Sequence, residues 1–239
     1  MVGIVLAGGN GNRLKQSFDN ECCKPLVKIK EKMLIEFSLE ALIDLHIKDV
    51  YIVIGNDGER IKSAIGNSYK GLNISYVYQV KSDSLIDALV SALDKVNSDS
   101  AVTLLADEIF IGFKSQDIRN YIQDPDFDFY CGFTYENDPE KIKRNYSIET
   151  DEDFNIIRCT EKPSLVINNL KGTGFCIFSN DALSLLKLSY NAQSARELCD
   201  FINLLVDQNC KGLAVCVAEK EFNINTYEDL KEAHDYSET

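Results

Sequence analysis

Residues 5 to 14 read VLAGGNGNRL, and Lys24 and Pro25 begin ten positions after Leu14. Gly8, Gly9 and Gly11, with Arg13 close behind, are residue types that let a backbone approach an anion. Glycine places no Cβ in the way and accepts left-handed φ, so its N–H can reach an oxygen. A guanidinium can grip two oxygens at once. The same stretch also suits a plain exit from a strand, where glycine is the default turn residue. Two phosphate-loop patterns are excluded. GxGxxG needs glycine or alanine where Leu14 stands after Gly9 and Gly11, and GxxxxGK[ST] has no match.

Other groups could work with such a loop. LLADE ends on Asp107 and Glu108, carboxylates able to hold a hard cation or to serve as loop and cap acids. CTEKPSL carries Glu161, Lys162 and Pro163, which read as a surface loop or as an acid and a cation offered to a ligand. FNINTYEDLKEA makes Thr226 the N-cap of a helix with Glu228 and Asp229 in its first turn, where acids suit the helix dipole. His46 and His234 lie in a helix end and a polar tail without a serine or cysteine partner, so a hydrolase triad has no support.

Short β-rich runs must position these groups. GIVLA leads into the glycines, and DVYIVIG, NISYVYQ and SAVTLLADE read as further strands, the last ending on its acids. Leu34, Phe37, Ala41, Leu42 and Leu45 follow helical spacing, GERIKSAIG reads as a short helix, and Leu85, Ala88, Leu89, Ala92 and Leu93 mark another helical face. This alternation predicts a parallel sheet flanked by helices, with ligands beyond the carboxyl ends of its strands. In the second half FDFYCGFTY, RNYSIET and FNIIRCTEK alternate apolar and polar residues with no helix between them, which predicts antiparallel strands. GTGFCIFS and GLAVCVA add strands, with helices around 180–188 and 195–208 and a last one from about 227.

The 239 residues carry a net charge of −13. Nucleic-acid binding is driven by clustered Lys and Arg, so none is expected, and an anionic ligand would need a local positive site. No run approaches the ~20 apolar residues of a membrane span, and MVGIVLAGG lacks the basic flank of a secretory signal, so a cytoplasmic protein without a membrane partner is expected. The eight cysteines include the adjacent pair Cys22 and Cys23 but no CxxC spacing. We expect reduced thiols and no structural zinc, with Cys131, Cys159, Cys176, Cys199, Cys210 and Cys216 as small buried hydrophobes.

VLAGGNGNRL followed by KPL resembles the opening of the nucleotidyltransferases that make nucleotide-sugars, whose pattern is L-A-G-G-x-G-x-R-L and then K-P. That family includes glucose-1-phosphate thymidylyltransferases, mannose-1-phosphate guanylyltransferases and phosphocholine cytidylyltransferases. Matches recur near 79–88, 105–108, 161–163 and 223–229, so the resemblance spans nearly the whole chain. It implies an α/β chain with a Rossmann-like three-layer α/β/α nucleotidyltransferase fold, whose mixed, mainly parallel sheet carries an antiparallel sugar-binding portion. It also implies one domain over residues 1–239, with a nucleotide-binding half at 1–115 and a sugar-phosphate-binding half at 116–239.

The implied reaction is attack of a sugar 1-phosphate on the α-phosphorus of a nucleoside triphosphate, with release of pyrophosphate. The resemblance assigns nucleotide binding to Leu6, Ala7, Gly8, Gly9, Gly11 and Arg13, with Gln79 reading the base. Ser84 stands in the next nucleotide-binding element, where the family usually has glycine, and Asp87 could contact base or ribose. Arg13 is expected on the β/γ oxygens, Lys24 near the α-phosphate and Lys162 on the attacking phosphate. Glu161 would take sugar hydroxyls, and a Gly172-Thr173-Gly174 turn would bring the backbone of Gly174 to the same ligand. Mg²⁺ is implied on Asp107, beside Ala106 where the family has glycine, and on Asn223, with Asn225 as a substitute. A non-sugar acceptor such as phosphocholine, a non-catalytic nucleotide-sugar sensor and a homo-oligomer stay open.

Overall fold

The computed structural model describes residues 1–9, 11–17, 22–79, 84–96, 98–123, 127–191 and 195–236. Strand β1 (Val2–Ala7) is buried along its whole length, as a strand covered on both faces must be. It leads to the glycine loop, the single turn α1 (Asn12–Lys15) and a 3₁₀ turn at Lys24–Leu26. The short strands β2 (Lys28–Ile29) and β3 (Lys32–Met33) form a hairpin before α2 (Leu34–Asp44). Next come β4 (Asp49–Ile54), α3 (Gly58–Ile65), β5 (Ser68–Tyr69), β6 (Leu72–Tyr78), α4 (Leu85–Leu93) and β7 (Ser100–Leu105). The second half contains β8 (Glu108–Ile111), α5 (Ser115–Ile122), β9 (Phe129–Tyr135), α6 (Pro139–Lys143), β10 (Tyr146–Thr150) and β11 (Ile156–Glu161). It closes with β12 (Leu170–Ser179), α7 (Asn180–Asn191), α8 (Leu198–Asp207), β13 (Gly212–Cys216), β14 (Lys220–Asn223) and α9 (Tyr227–Tyr236).

Strands β6, β4, β1 and β7 lie side by side and parallel. The long strand β12 then runs antiparallel to β7, β9 and β10, so it joins the parallel half to the antiparallel half. Apolar side chains cover both faces of the sheet. On one side Ile4 and Leu6 pack with Leu89 of α4, Leu186 of α7 and Phe201 of α8. On the other, Val5 and Ala7 pack with Leu39 of α2, Ile61 of α3 and Ile118 of α5. This is the α/β/α layering expected from the alternation of strands and helices. A smaller third core of Leu14, Ile29, Leu34, Ile109, Phe222, Ile224 and Ala233 lies under the glycine loop and binds it to β14 and α9.

The strand SAVTLLADE does not run to its acids. Strand β7 stops at Leu105, Ala106 and Asp107 turn, and Glu108 opens β8, which pairs with β14. Residues 172–174 are part of β12 and not a turn, although the register shifts between Gly172 and Cys176. The second half is also not free of helices between strands, since α6 separates β9 from β10. Cys210 and Cys216 are only half-buried, while Cys131, Cys159, Cys176 and Cys199 are buried as expected. Among the described residues no helix is long and apolar enough to cross a membrane.

Candidate active site

Strand periodicity decides which side chains reach the cleft. Leu6 and Ala7 point to opposite faces of β1. Leu6 lines a cavity of about 250 Å³ with Gly8, Gly9, Gln79, Ser84 and Asp107, whereas Ala7 packs into the opposite core. Ala7 therefore has only its backbone to offer a nucleotide. A Cβ on Gly8 would stand 2.3 Å from Gln79 Oε1, so glycine there makes room for the amide. Gly11 has φ +60 and packs against the Lys24 stem, so it shapes the loop beneath Lys24. The stretch between Gln79 and Ser84 lies outside the described residues, as does Asn10.

Ser84 caps α4. Its hydroxyl accepts from Asp87 N–H at 3.1 Å and donates to Asp87 Oδ2 at 3.0 Å. Asp87 is thereby buried in a cap and bonded to Ser84. Gln79 Nε2 donates to the Ser84 carbonyl at 3.3 Å, which fixes the amide at the cavity wall.

A second cavity, of about 370 Å³, adjoins the first at Leu85, Leu105 and Asp107. Arg13, Asp107, Glu161, Lys162, Gly174 and Asn223 all line it. Lys24 enters this constellation through its ion pair with Asp107. Its side chain lies nearly buried in the 3₁₀ turn, so little freedom remains to lose when an anion arrives. Buried Leu14 anchors α1 and leaves Arg13 on the exposed side. Ile224, buried in the third core, leaves Asn223 and Asn225 on either side of it facing the cleft.

An unbroken hydrogen-bonded line runs across the floor. Asn225 Oδ1 accepts from Arg13 Nη2 at 2.9 Å and from Lys24 Nζ at 3.1 Å. Asn225 Nδ2 donates to Asn223 Oδ1 at 2.7 Å, and Asn223 Nδ2 donates to Asn145 Oδ1 at 3.2 Å. The Asn145 carbonyl accepts from Lys162 N–H at 2.7 Å. Lys162 itself has φ +42, a left-handed backbone costly for a residue with a Cβ, at the point where its ammonium projects into the cavity. That ammonium lies 3.1 Å from Glu161 Oε1.

Beneath Asp107 the interior is unusually charged. Both oxygens of buried Glu108 share the Gly174 N–H, at 2.8 and 2.9 Å. That N–H is thus engaged by Glu108, while Gly174 itself stands on the wall of the cavity that Glu161 and Lys162 line. Burial, then the charges of Glu221 and Asp107, push the Glu108 carboxyl well above the usual carboxylate range. Glu221 is buried and likewise raised by desolvation, against the pull of Lys171. Lys171 Nζ stands 2.7 Å from Glu221 Oε2, a buried ion pair beneath the cleft.

Sequence reasoning missed Arg144, Asn145, Tyr146 and Glu197, which also line the second cavity. The signal lay in RNYSIET. Tyr146 pairs with Glu161 across β10 and β11, so the residues before one strand meet those after the other. Arg13, Arg144, Asn145, Asn223 and Asn225 further border a third, outer cavity of about 600 Å³.

Among the described residues no group of three or more His, Cys, Asp or Glu gathers to hold a metal. Asp107 and Asn223 line one cavity and carry oxygen donors of the kind a hard divalent cation takes, Asp107 now paired with Lys24 and Asn223 Oδ1 with the Asn225 amide.

The family model described as nucleotidyl transferase matches residues 2–238. A glucose-1-phosphate thymidylyltransferase of Neisseria meningitidis serogroup A is 25% identical over 245 residues, covering 100% of this chain and 83% of its own. The UTP–glucose-1-phosphate uridylyltransferase AglF of Haloferax volcanii is 26% identical, covering 98% of this chain and 95% of its own. A solved UDP-glucose pyrophosphorylase complexed with UDP-glucose superposes with a TM-score of 0.85 at 18% identity, over 100% of both chains. With the glycine loop, the acid turn and the Glu-Lys-Pro strand end meeting in one cleft, the chain belongs to the nucleotidyl transferase family.

Proposed function

We infer that the protein transfers a nucleotidyl group from a thymidine or uridine triphosphate to a sugar 1-phosphate. A phosphate oxygen of the acceptor forms the new bond to the α-phosphorus, the bond from that phosphorus to the β-phosphate bridging oxygen breaks, and pyrophosphate leaves. The observation that carries this reading is the convergence of Arg13, Asp107 and Lys162 on one cavity, with Lys24 ion-paired to Asp107 at its edge. Two phosphate compounds repel each other, so the protein's task is alignment and cancellation of charge.

The smaller cavity suits the base and ribose, with Gln79 presenting an amide to the edge that thymine and uracil share. Arg13 takes the outer phosphates and Lys24 neutralises charge at the α-phosphate. Lys162 holds the acceptor phosphate, and Glu161 beside it receives sugar hydroxyls. Asp107 and Asn223 would hold a Mg²⁺, which would supply Lewis-acid charge to the phosphates. Lys24 then exchanges its pairing with Asp107 for one with phosphate. The relatives described above are named as enzymes, which favours turnover over a sensor role.

Pyrophosphate release with Mg²⁺, each of the four triphosphates and a panel of sugar 1-phosphates tests this reading. Turnover confined to dTTP or UTP supports it. Release that needs no sugar phosphate, or no release with any pair, overturns it.

A further inference from the structure

Asn225 sits between the two cations of the site. Its single side-chain oxygen accepts from Arg13 at 2.9 Å and from Lys24 at 3.1 Å, while its amide nitrogen donates to Asn223. The backbone is fixed by other means. Its N–H donates to Asp229 Oδ2 at 2.9 Å, and the adjacent Ile224 is fully buried. The side chain is therefore not needed to hold the loop.

Lys24 is held by Asp107 and by burial, so without this oxygen it is the exposed Arg13 guanidinium that would move away from its fellow cation. A neutral amide carries only partial charge, so it gathers them yet yields them to an ion of whole charge, whose hydrogen bonds are about twice as strong. A carboxylate at this position would form a full ion pair with both and compete with any incoming anion.

We propose that Asn225 is a positioning residue for the triphosphate, its amide oxygen keeping Arg13 and Lys24 converged and surrendering both to a phosphate oxygen. This rests on the nucleotidyl-transfer reading above. Asn225→Asp and Asn225→Ala both retain the Asp229 cap of the backbone N–H, so the fold at the start of α9 is kept in each.

Calorimetric titration with inorganic tripolyphosphate reads the cation pair without base, sugar or turnover. Asn225→Asp is expected to weaken its binding by about tenfold or more and to raise KM for the triphosphate similarly. Its KM for the sugar phosphate is expected to stay within about threefold of wild type. Asn225→Ala, which releases the Arg13 guanidinium, is expected to weaken binding by roughly three- to tenfold. A merely structural residue would instead lower melting temperature and disturb both substrates together. Tripolyphosphate affinity within twofold of wild type in both variants, while the wild-type protein turns over, overturns the proposal alone. Failure of the wild-type protein to bind tripolyphosphate overturns the anion cradle and the proposal with it.

Discussion

The carboxylate of Glu108 is fastened to the backbone N–H of Gly174, both oxygens lying within 2.9 Å of it. This contact ties the turn that carries Asp107 to the strand that joins the two halves of the sheet. It also explains why position 174 has no side chain. A Cβ there would fall 2.2 Å from Leu105 Cγ and 2.9 Å from Glu108 Oε2. Gly174→Ala is expected to destabilise the fold by about 1–3 kcal/mol, as overpacking of a dense interior does. Urea denaturation measures it, and an unchanged midpoint would show that the strand moves aside at no cost.

Arg13→Ala and Lys162→Ala are expected to lower kcat/KM by about a hundredfold or more, the scale seen when a charge-stabilising group is lost. Both side chains are exposed at the cleft, so melting temperatures are expected to stay within about 2 °C of wild type, as for surface substitutions. Pyrophosphate release and a thermal melt check this together. Near-normal turnover in either variant removes that residue from the mechanism.

Asp107→Asn keeps the size of the side chain and removes its charge. Lys24 loses its ion-pair partner and the proposed cation loses its one carboxylate. Turnover is expected to drop by about a thousandfold, with the requirement for Mg²⁺ shifted to higher concentration. A magnesium titration of activity gives the answer, and an unaltered half-saturation point would exclude Asp107 as a ligand.

Glu197 borders the same cavity as Glu161. Burial, and next the negative charge of Glu161, raise its carboxyl above the ordinary range, with Lys162 pulling the other way. The folded protein therefore keeps a proton that the unfolded chain has already released. Its contribution to stability is full below the ordinary carboxylate range, falls as pH rises through it, and levels off above the raised folded value. Glu197→Gln is expected to flatten that step. Denaturation midpoints measured from pH 4 to 8 test it, and parallel curves for the two proteins would show that Glu197 titrates normally.

The parallel half of the fold was legible because a buried strand announces itself as an apolar run and a flanking helix as a repeat near 3.6. The cleft followed from motif order, since Gly8, Gly9, Gln79, Asp107, Glu161 and Lys162 do line adjoining cavities. What failed depends on pairing across the chain. Strand β8 could not be told from the end of β7, because its partner β14 lies more than a hundred residues away. Gly172 to Gly174 looked like a turn because glycines mark turns, yet here they clear space for the Tyr146 ring and for Leu105. The buried Lys171 and Glu221 carry no local signal at all, since burial of a charge is decided by its partner.

The bond from Arg13 to Asn225 spans 212 positions of the chain. A polypeptide emerging from the ribosome therefore carries its glycine loop through 212 further positions before the amide that Arg13 contacts is made. Completion of the cleft is timed by the arrival of β14, so catalytic competence is a late event in biogenesis even where the parallel sheet has already formed.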